Sequence, residues 1–309
     1  MIAETMRRVR RNTGGLFLAL ALTALLAGIW VPMLPASAGF PGRNGKIAFM
    51  SRDGLKRNVY TINPDGTERT RPTDNLKVKG GPAWSPNGKK IAFWSYNRSD
   101  LDIVKMDADG TGLTRVTDNT TNENEDGPAW SPNGNKIAFT RSDGHDSEIF
   151  VISADGTKRR RITNNSRDDF HPAWSPNGNK IAFEHWDGHD YEIFKIDPHG
   201  TTGTAITDNS RDDFSPAWSP TGSKVAFMRW DGHDYEIFKI NPIGTKLTRV
   251  TSTPRDDLSP AWSPQGNGIA FILRGRQDDE IYTINPDGSD LSRVTDNSKD
   301  DYSPDWQPL

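Results

Sequence analysis

Residues 169–183 read Asp-Phe-His-Pro-Ala-Trp-Ser-Pro-Asn-Gly-Asn-Lys-Ile-Ala-Phe. Two short apolar segments flank a turn signal, in which Pro presets φ and Gly accepts the left-handed conformation. The phrase returns along the chain. Pro-x-Trp recurs at Trp84, Trp130, Trp174, Trp218, Trp262 and Trp306, at intervals of 46, 44, 44, 44 and 44 residues. Ile/Val-Ala-Phe ends at Phe49, Phe93, Phe139, Phe183, Phe227 and Phe271. A third apolar segment ends at Ile62, Met106, Ile152, Ile196, Ile240 and Ile284, and a short Arg-Val-Thr-like segment carries Val116, Ile162, Ile206, Val250 and Val294. Its weaker first copy is Arg71-Pro72-Thr73. Glycines at 66, 110, 156, 200, 244 and 288 mark the turn between the last two segments.

Four short strands per repeat of roughly 40–45 residues is the signature of a propeller blade. The reading is an all-β, six-bladed β-propeller with four antiparallel strands per blade. Each Trp of Pro-x-Trp is expected to pack between neighbouring sheets. The ends of the chain predict the closure. The first repeat starts at Gly45-Lys46-Ile47-Ala48-Phe49 without a Pro-x-Trp strand, and the last is only Ser303-Pro304-Asp305-Trp306. The C-terminal strand therefore pairs in the first blade and removes an open sheet edge.

These phrases resemble the TolB-type propeller repeat: Asp-x-x-Pro-Ala-Trp-Ser-Pro-Asn-Gly-x-Lys-Ile-Ala-Phe, then Glu-Ile-Phe-x-Ile and Asp-Gly-Thr. The resemblance covers residues 45–307 and implies the propeller alone, without the α/β domain that accompanies it in the Tol–Pal member of that family. It is specific for fold and much less so for function.

The first 38 residues differ in kind. Arg7, Arg8, Arg10 and Arg11 precede an apolar run from Leu16 to Val31, and Ala36-Ser37-Ala38 offers a small-residue cleavage site. This order reads as a secretory signal peptide over 1–38, leaving a propeller over 39–309. An uncleaved anchor is the competing reading of the same run. A periplasmic or secreted location follows, with no stable membrane insertion after cleavage. Residues 39–309 hold 34 basic and 40 acidic side chains, a formal charge of −6. An acidic chain lacks the basic stripe that nucleic-acid binding requires. The Lys158–Arg161 run belongs to an outer edge strand, where charge discourages pairing with other chains. Cysteine is absent, which excludes disulfides, thiolate metal sites and a Cys nucleophile.

Chemistry is expected on the face carrying the second-to-third and fourth-to-first connections. The latter place an acid three residues before each Pro, at Glu125, Asp169, Asp213, Asp257 and Asp301. A second acid precedes four of them, at Asp168, Asp212, Asp256 and Asp300. Val78 and Lys79 break the pattern in the second blade. Clustered carboxylates suit Ca²⁺ or the basic groups of a partner. Both sets of acids are candidate ligand-binding residues; residues repeated in every blade usually serve the fold, so the inner acids have a turn role as the competing reading and the outer four are the better site candidates. His145, His189 and His233 occupy equivalent turn positions on different blades, too widely spaced to share one ion. Trp186, Trp230 and Tyr96 are equivalent and offer a stacking surface or inter-blade packing.

No Gly-x-Ser-x-Gly, His-Glu-x-x-His or phosphate-loop motif is present. The reading is a non-enzymatic exported binding or scaffold protein, whose acidic loop face receives an envelope or extracellular protein, peptide or glycan, with Ca²⁺ as a candidate ion. The rival is a metal-dependent polysaccharide lyase or hydrolase using the same face.

Overall fold

A computed structural model describes residues 39–309, apart from 55, 74–78, 98–99, 119–122, 143 and 201. The signal-peptide reading, Val78 and the turn residue Asp143 thus lie outside the described residues. Six antiparallel sheets surround a central axis, five of them four-stranded. Blade five is representative, with strands Asp213–Trp218, Val225–Trp230, Tyr235–Ile240 and Thr248–Arg249 running from the axis outward. Blade one has a three-stranded sheet, and its fourth strand shrinks to one bridge between Thr61 and Thr70. The Pro after Arg71 removes a ladder donor there.

The alternation of side chains along a strand explains how blades stack. In blade four, Ala173 and Ala182 form a small face, and Trp174, Ile181 and Phe183 form a large one. The large face packs on Ala129 and Ala138 of blade three, while the small face receives Trp218, Val225 and Phe227 of blade five. The core is thus a ring of inter-blade layers, and each repeat Trp is buried in one. One blade cannot bury its own large face, which is why the ring must close.

Closure follows the sequence reading. The C-terminal strand Asp300–Pro308 pairs with Asn44–Asp53, in register Ile47↔Trp306 and Ala48↔Asp305. Asp305 Oδ2 also accepts the Trp84 backbone N–H at 2.5 Å, tying blade one to blade two. At the far end, Gly39 N donates to Trp218 O at 3.0 Å, and a Cβ on Gly39 would stand 2.9 Å from Trp262 Cβ.

Two devices recur in all six blades. The Thr ending each fourth segment (Thr73, Thr117, Thr163, Thr207, Thr251, Thr295) accepts the backbone N–H of Val59, Ile103, Ile149, Ile193, Ile237 and Ile281, at 2.8–3.1 Å. The innermost strand bulges just before its Pro. There Gly81, Gly127, His171, Ser215, Ser259 and Ser303 take φ between +51° and +61°. Four of these are not glycine, and each such residue costs on the order of 1–2 kcal/mol. The bulge shifts the register by one residue between the buried acid and the Ala-Trp pair.

Candidate functional site: the loop face

The five inner acids do not line an open mouth. Glu125, Asp169, Asp213, Asp257 and Asp301 are each 0 % exposed. Their loops hold three of them: Asn165, Asn209 and Asn297 Nδ2 donate to Asp169, Asp213 and Asp301 at 2.7–3.0 Å. Thr253 Oγ1 stands 3.1 Å from Asp257 in the same role. Beside them lies a second buried row that the sequence reading passed over: Asp102, Glu148, Glu192, Glu236 and Glu280 on the third strands. Glu148, Glu192, Glu236 and Glu280 each face the inner acid of the next blade. The Glu of the Glu-Ile-Phe phrase was visible in the repeat, but only the sheet shows that it points inward.

Two buried carboxylates together need counter-charge or a shared proton. The fourth-strand arginines supply much of it. Arg115 approaches Asp102 at 3.5 Å, Arg161 pairs with Glu148, Arg249 with Glu236, and Arg293 with Glu280 at 2.8 Å. These arginines stand on the outer edge strands, and their guanidiniums fold back onto buried acids of their own blades. Second-strand residues serve other inner acids. His185 Nδ1 lies 2.6 Å from Asp169, and Arg229 binds Asp213 through two 2.6 Å bonds. Where positive charge falls short, protons stay. Burial, beside the Asp213 carboxylate, pushes Glu192 up to about 8. Burial likewise raises Asp257 to about 8 next to Glu236.

The outer acids, assigned to a ligand by the sequence, have a repeated backbone task. Oδ1 of Asp168, Asp212, Asp256 and Asp300 accepts the N–H of Ser147, Tyr191, Tyr235 and Asp279, at 3.0–3.3 Å. Asn124 does the same for Leu101 at 3.2 Å. Each bond ties a blade-to-blade loop to the third strand of the preceding blade. The four acids are half-buried, and Asp256 also pairs with Arg274 at 2.6 Å. They present charge at fixed positions on the face without meeting at one point.

Trp186 and Trp230 sit across their own hairpins from Tyr191 and Tyr235, with ring centroids 5.1 and 5.3 Å apart. Tyr96 lies opposite Leu101 in the same position of blade two. A ladder of Phe170, Tyr191, Phe214 and Tyr235, at 5.0–6.2 Å spacings, runs across blades four and five. The His189 and His233 side chains are 91 % and 93 % exposed, each beside the Asp of its own turn. Among the described residues, one set of three metal-type ligands lies within 4.8 Å, Asp231, Asp234 and Glu236. Arg249 already closes it, 3.0 Å from Asp231 and paired with Glu236.

Nearer the axis, three departures from the repeat meet. His171 Nδ1 lies 2.8 Å from Glu184 Oε1, Ser215 N donates to the same oxygen at 2.7 Å, and Asp126 is close by. Burial alone would lower the His171 imidazole, but the Glu184 carboxylate outweighs it and pushes it up. Burial pushes Asp126 up. Glu184, on the second strand of blade four, thus links the inner strands of blades four and five.

Comparison with known proteins agrees with the architecture. No curated protein matches the chain in sequence. TolB from Acinetobacter baumannii superposes with a TM-score of 0.78 at 23 % identity, over 88 % of this chain and 69 % of that one. A propeller from a nidogen/laminin complex gives 0.70 at 13 % identity, over 85 % and 98 %. An oligogalacturonate lyase from Vibrio parahaemolyticus gives 0.58 at 14 % identity, over 86 % and 79 %. At these identities the likeness is one of fold. The family model described as the TolB beta propeller domain matches residues 44–188 and 184–309, and the chain belongs to that family.

Proposed function

We propose that this protein is an exported, non-enzymatic binding or scaffold propeller, and that its acidic loop face receives a protein or peptide partner. The observation that carries the reading is the belt of half-buried carboxylates at Asp168, Asp212, Asp256 and Asp300. Each is pinned to a neighbouring strand by a backbone bond, so negative charge stands at fixed places on a rigid ring. Gly39 lies at the opposite end of the inner strands, against Trp218 and Trp262. The nidogen/laminin structure offers a precedent for a propeller in a protein complex. Export, to the periplasm or beyond, rests on the Arg-rich start and Ala36-Ser37-Ala38. Among the described residues no helix is long and apolar enough to cross a membrane.

Asn124 shows how to test the charge separately from the fold, because it makes the same backbone bond without charge. The fourfold Asp→Asn variant at 168, 212, 256 and 300 keeps the accepting oxygen. It should melt near the wild-type temperature and lose capture of the partner from an envelope extract. Equal capture by both proteins refutes the reading. Melting with calcium or with chelator decides whether an ion takes part, since a ligand at a hundredfold excess over Kd stabilises by about 2.7 kcal/mol.

A further inference from the structure

The repeat supplies its own control for one position. In blade three Arg161 pairs with Glu148 and lies 3.9 Å from Asp146. In blade five Arg249 pairs with Glu236 and lies 3.0 Å from Asp231. Blades two and six place Arg115 and Arg293 equivalently. Blade four breaks the series. Its fourth strand is Thr204–Ala205, with exposed Ala205 at the arginine position and Gly203 before it. The acids that the arginine would meet are all retained, as Asp187, Asp190 and Glu192.

Neither nearby arginine forms an ion pair with Asp190. Arg229 is bound twice to Asp213, and Arg167 donates to the Asp187 carbonyl. Asn209 holds Glu192 through its backbone N–H and its Nδ2, the latter at 3.0 Å. Asp190 is left over. It is 4 % exposed, and its buried Oδ1 has no hydrogen-bond partner. Burial, with Asp187, Asp212 and Asp213 close by, pushes its carboxyl up to about 6. An unpaired buried carboxylate is costly; its counterpart in blade three, Asp146, lies 3.9 Å from a guanidinium, while in blade two Arg115 turns to Asp102 and the equivalent Asp100 is likewise without a hydrogen-bond partner.

We propose that the outer edge of blade four is a receptor for an arginine side chain of a partner polypeptide, whose guanidinium takes the place held by Arg161 and Arg249 in the adjacent blades and bonds Asp190 and Glu192. The inference rests on reading the loop face as a binding face, and it names the chemistry of one contact there. Arginine fits better than the alternatives. A planar fork with five donors spans two carboxylates on different elements, whereas an ammonium is a point charge. A divalent cation wants a tight cage of oxygens, and among the described residues the three-acid set that gathers within 4.8 Å is the one in blade five.

The test uses the purified protein and three probes at equal ionic strength: acetyl-Gly-Arg-Gly-amide, its lysine counterpart, and calcium chloride. Titration calorimetry on the wild type should show the arginine tripeptide binding at least tenfold more tightly than the lysine one. Ala205→Arg restores the internal guanidinium, so it should melt above the wild type and bind the tripeptide at least tenfold more weakly. Asp190→Asn, which removes only the charge, should weaken binding to a similar degree. Equal affinity for the two tripeptides, or undiminished binding by Ala205→Arg, overturns the proposal. So does calcium binding that disappears in Asp190→Asn. Partner capture that is lost in the fourfold Asn variant but unchanged in Ala205→Arg overturns the blade-four site alone. Capture equal in all three proteins overturns the acidic-face reading with it.

Discussion

Raising the pH from about 5.5 to 8 should destabilise this propeller, and the buried acid pairs set the sign. Glu192 and Asp257 are pushed up to about 8, and Asp190 and Asp301 to about 6, burial being the main cause in each case. In the unfolded chain these groups return to ordinary carboxylate values near 4. Between the two values the folded state keeps protons that the unfolded state has released. Their contribution is therefore complete below about pH 4 and is lost as the pH rises through the folded values. Each group contributes a slope of at most about 1.4 kcal/mol per pH unit within its window. Above pH 6 Glu192 and Asp257 carry it, and His171, also raised, adds the same sign. Asp65, Asp109, Asp155 and Asp287 have lowered values, so they are ionised in both states above about pH 5 and contribute no slope there. For a domain of this size about 1 kcal/mol moves the Tm by roughly 2 °C, so the fall across the window should reach several degrees. Thermal melting followed by circular dichroism at constant ionic strength measures it. Glu192→Gln and Asp257→Asn keep a neutral hydrogen-bonding group, and each should flatten the slope. A Tm that is level or rises between about pH 5.5 and 8, or a slope undiminished in the double variant, refutes the shared-proton account.

Two further substitutions probe the ring. Trp306→Ala removes a buried side chain from the closing strand and should cost about 3–5 kcal/mol, so a truncation of residues 302–309 should not melt cooperatively at the wild-type temperature. Unchanged melting of either protein would contradict the closure. Thr251→Val strips the acceptor from the Ile237 N–H and also removes a donor 2.6 Å from Glu236. It should cost about 1–3 kcal/mol, as equilibrium denaturation in urea would show, and a neutral result would mean that the repeated Thr is dispensable.

What the sequence alone determined is the fold: six blades, four strands in each, the closing strand and the repeated Trp between sheets. These depend on short-range chemistry, namely turn residues at set offsets and period-two alternation, and forty-odd residues of repetition show that chemistry six times. Burial of the acids was decided by the tertiary structure. Asp213 is three residues from a Pro in sequence, but its environment comes from Glu192 on the neighbouring blade and Arg229 across the sheet. The backbone task of Asp168, Asp212, Asp256 and Asp300 is equally hidden, since each bond spans 21 residues to a strand of the blade before. The left-handed His171, Ser215, Ser259 and Ser303 run against the usual preference of a residue before Pro, and they sit in the bulge of the innermost strand. Ala205 shows the division most sharply. The aligned repeat displays an alanine among arginines, yet that difference has meaning only once the other arginines are seen to fold back onto buried carboxylates. Local sequence specifies turns and strand faces, while charge pairing across blades depends on distances that only the closed ring sets.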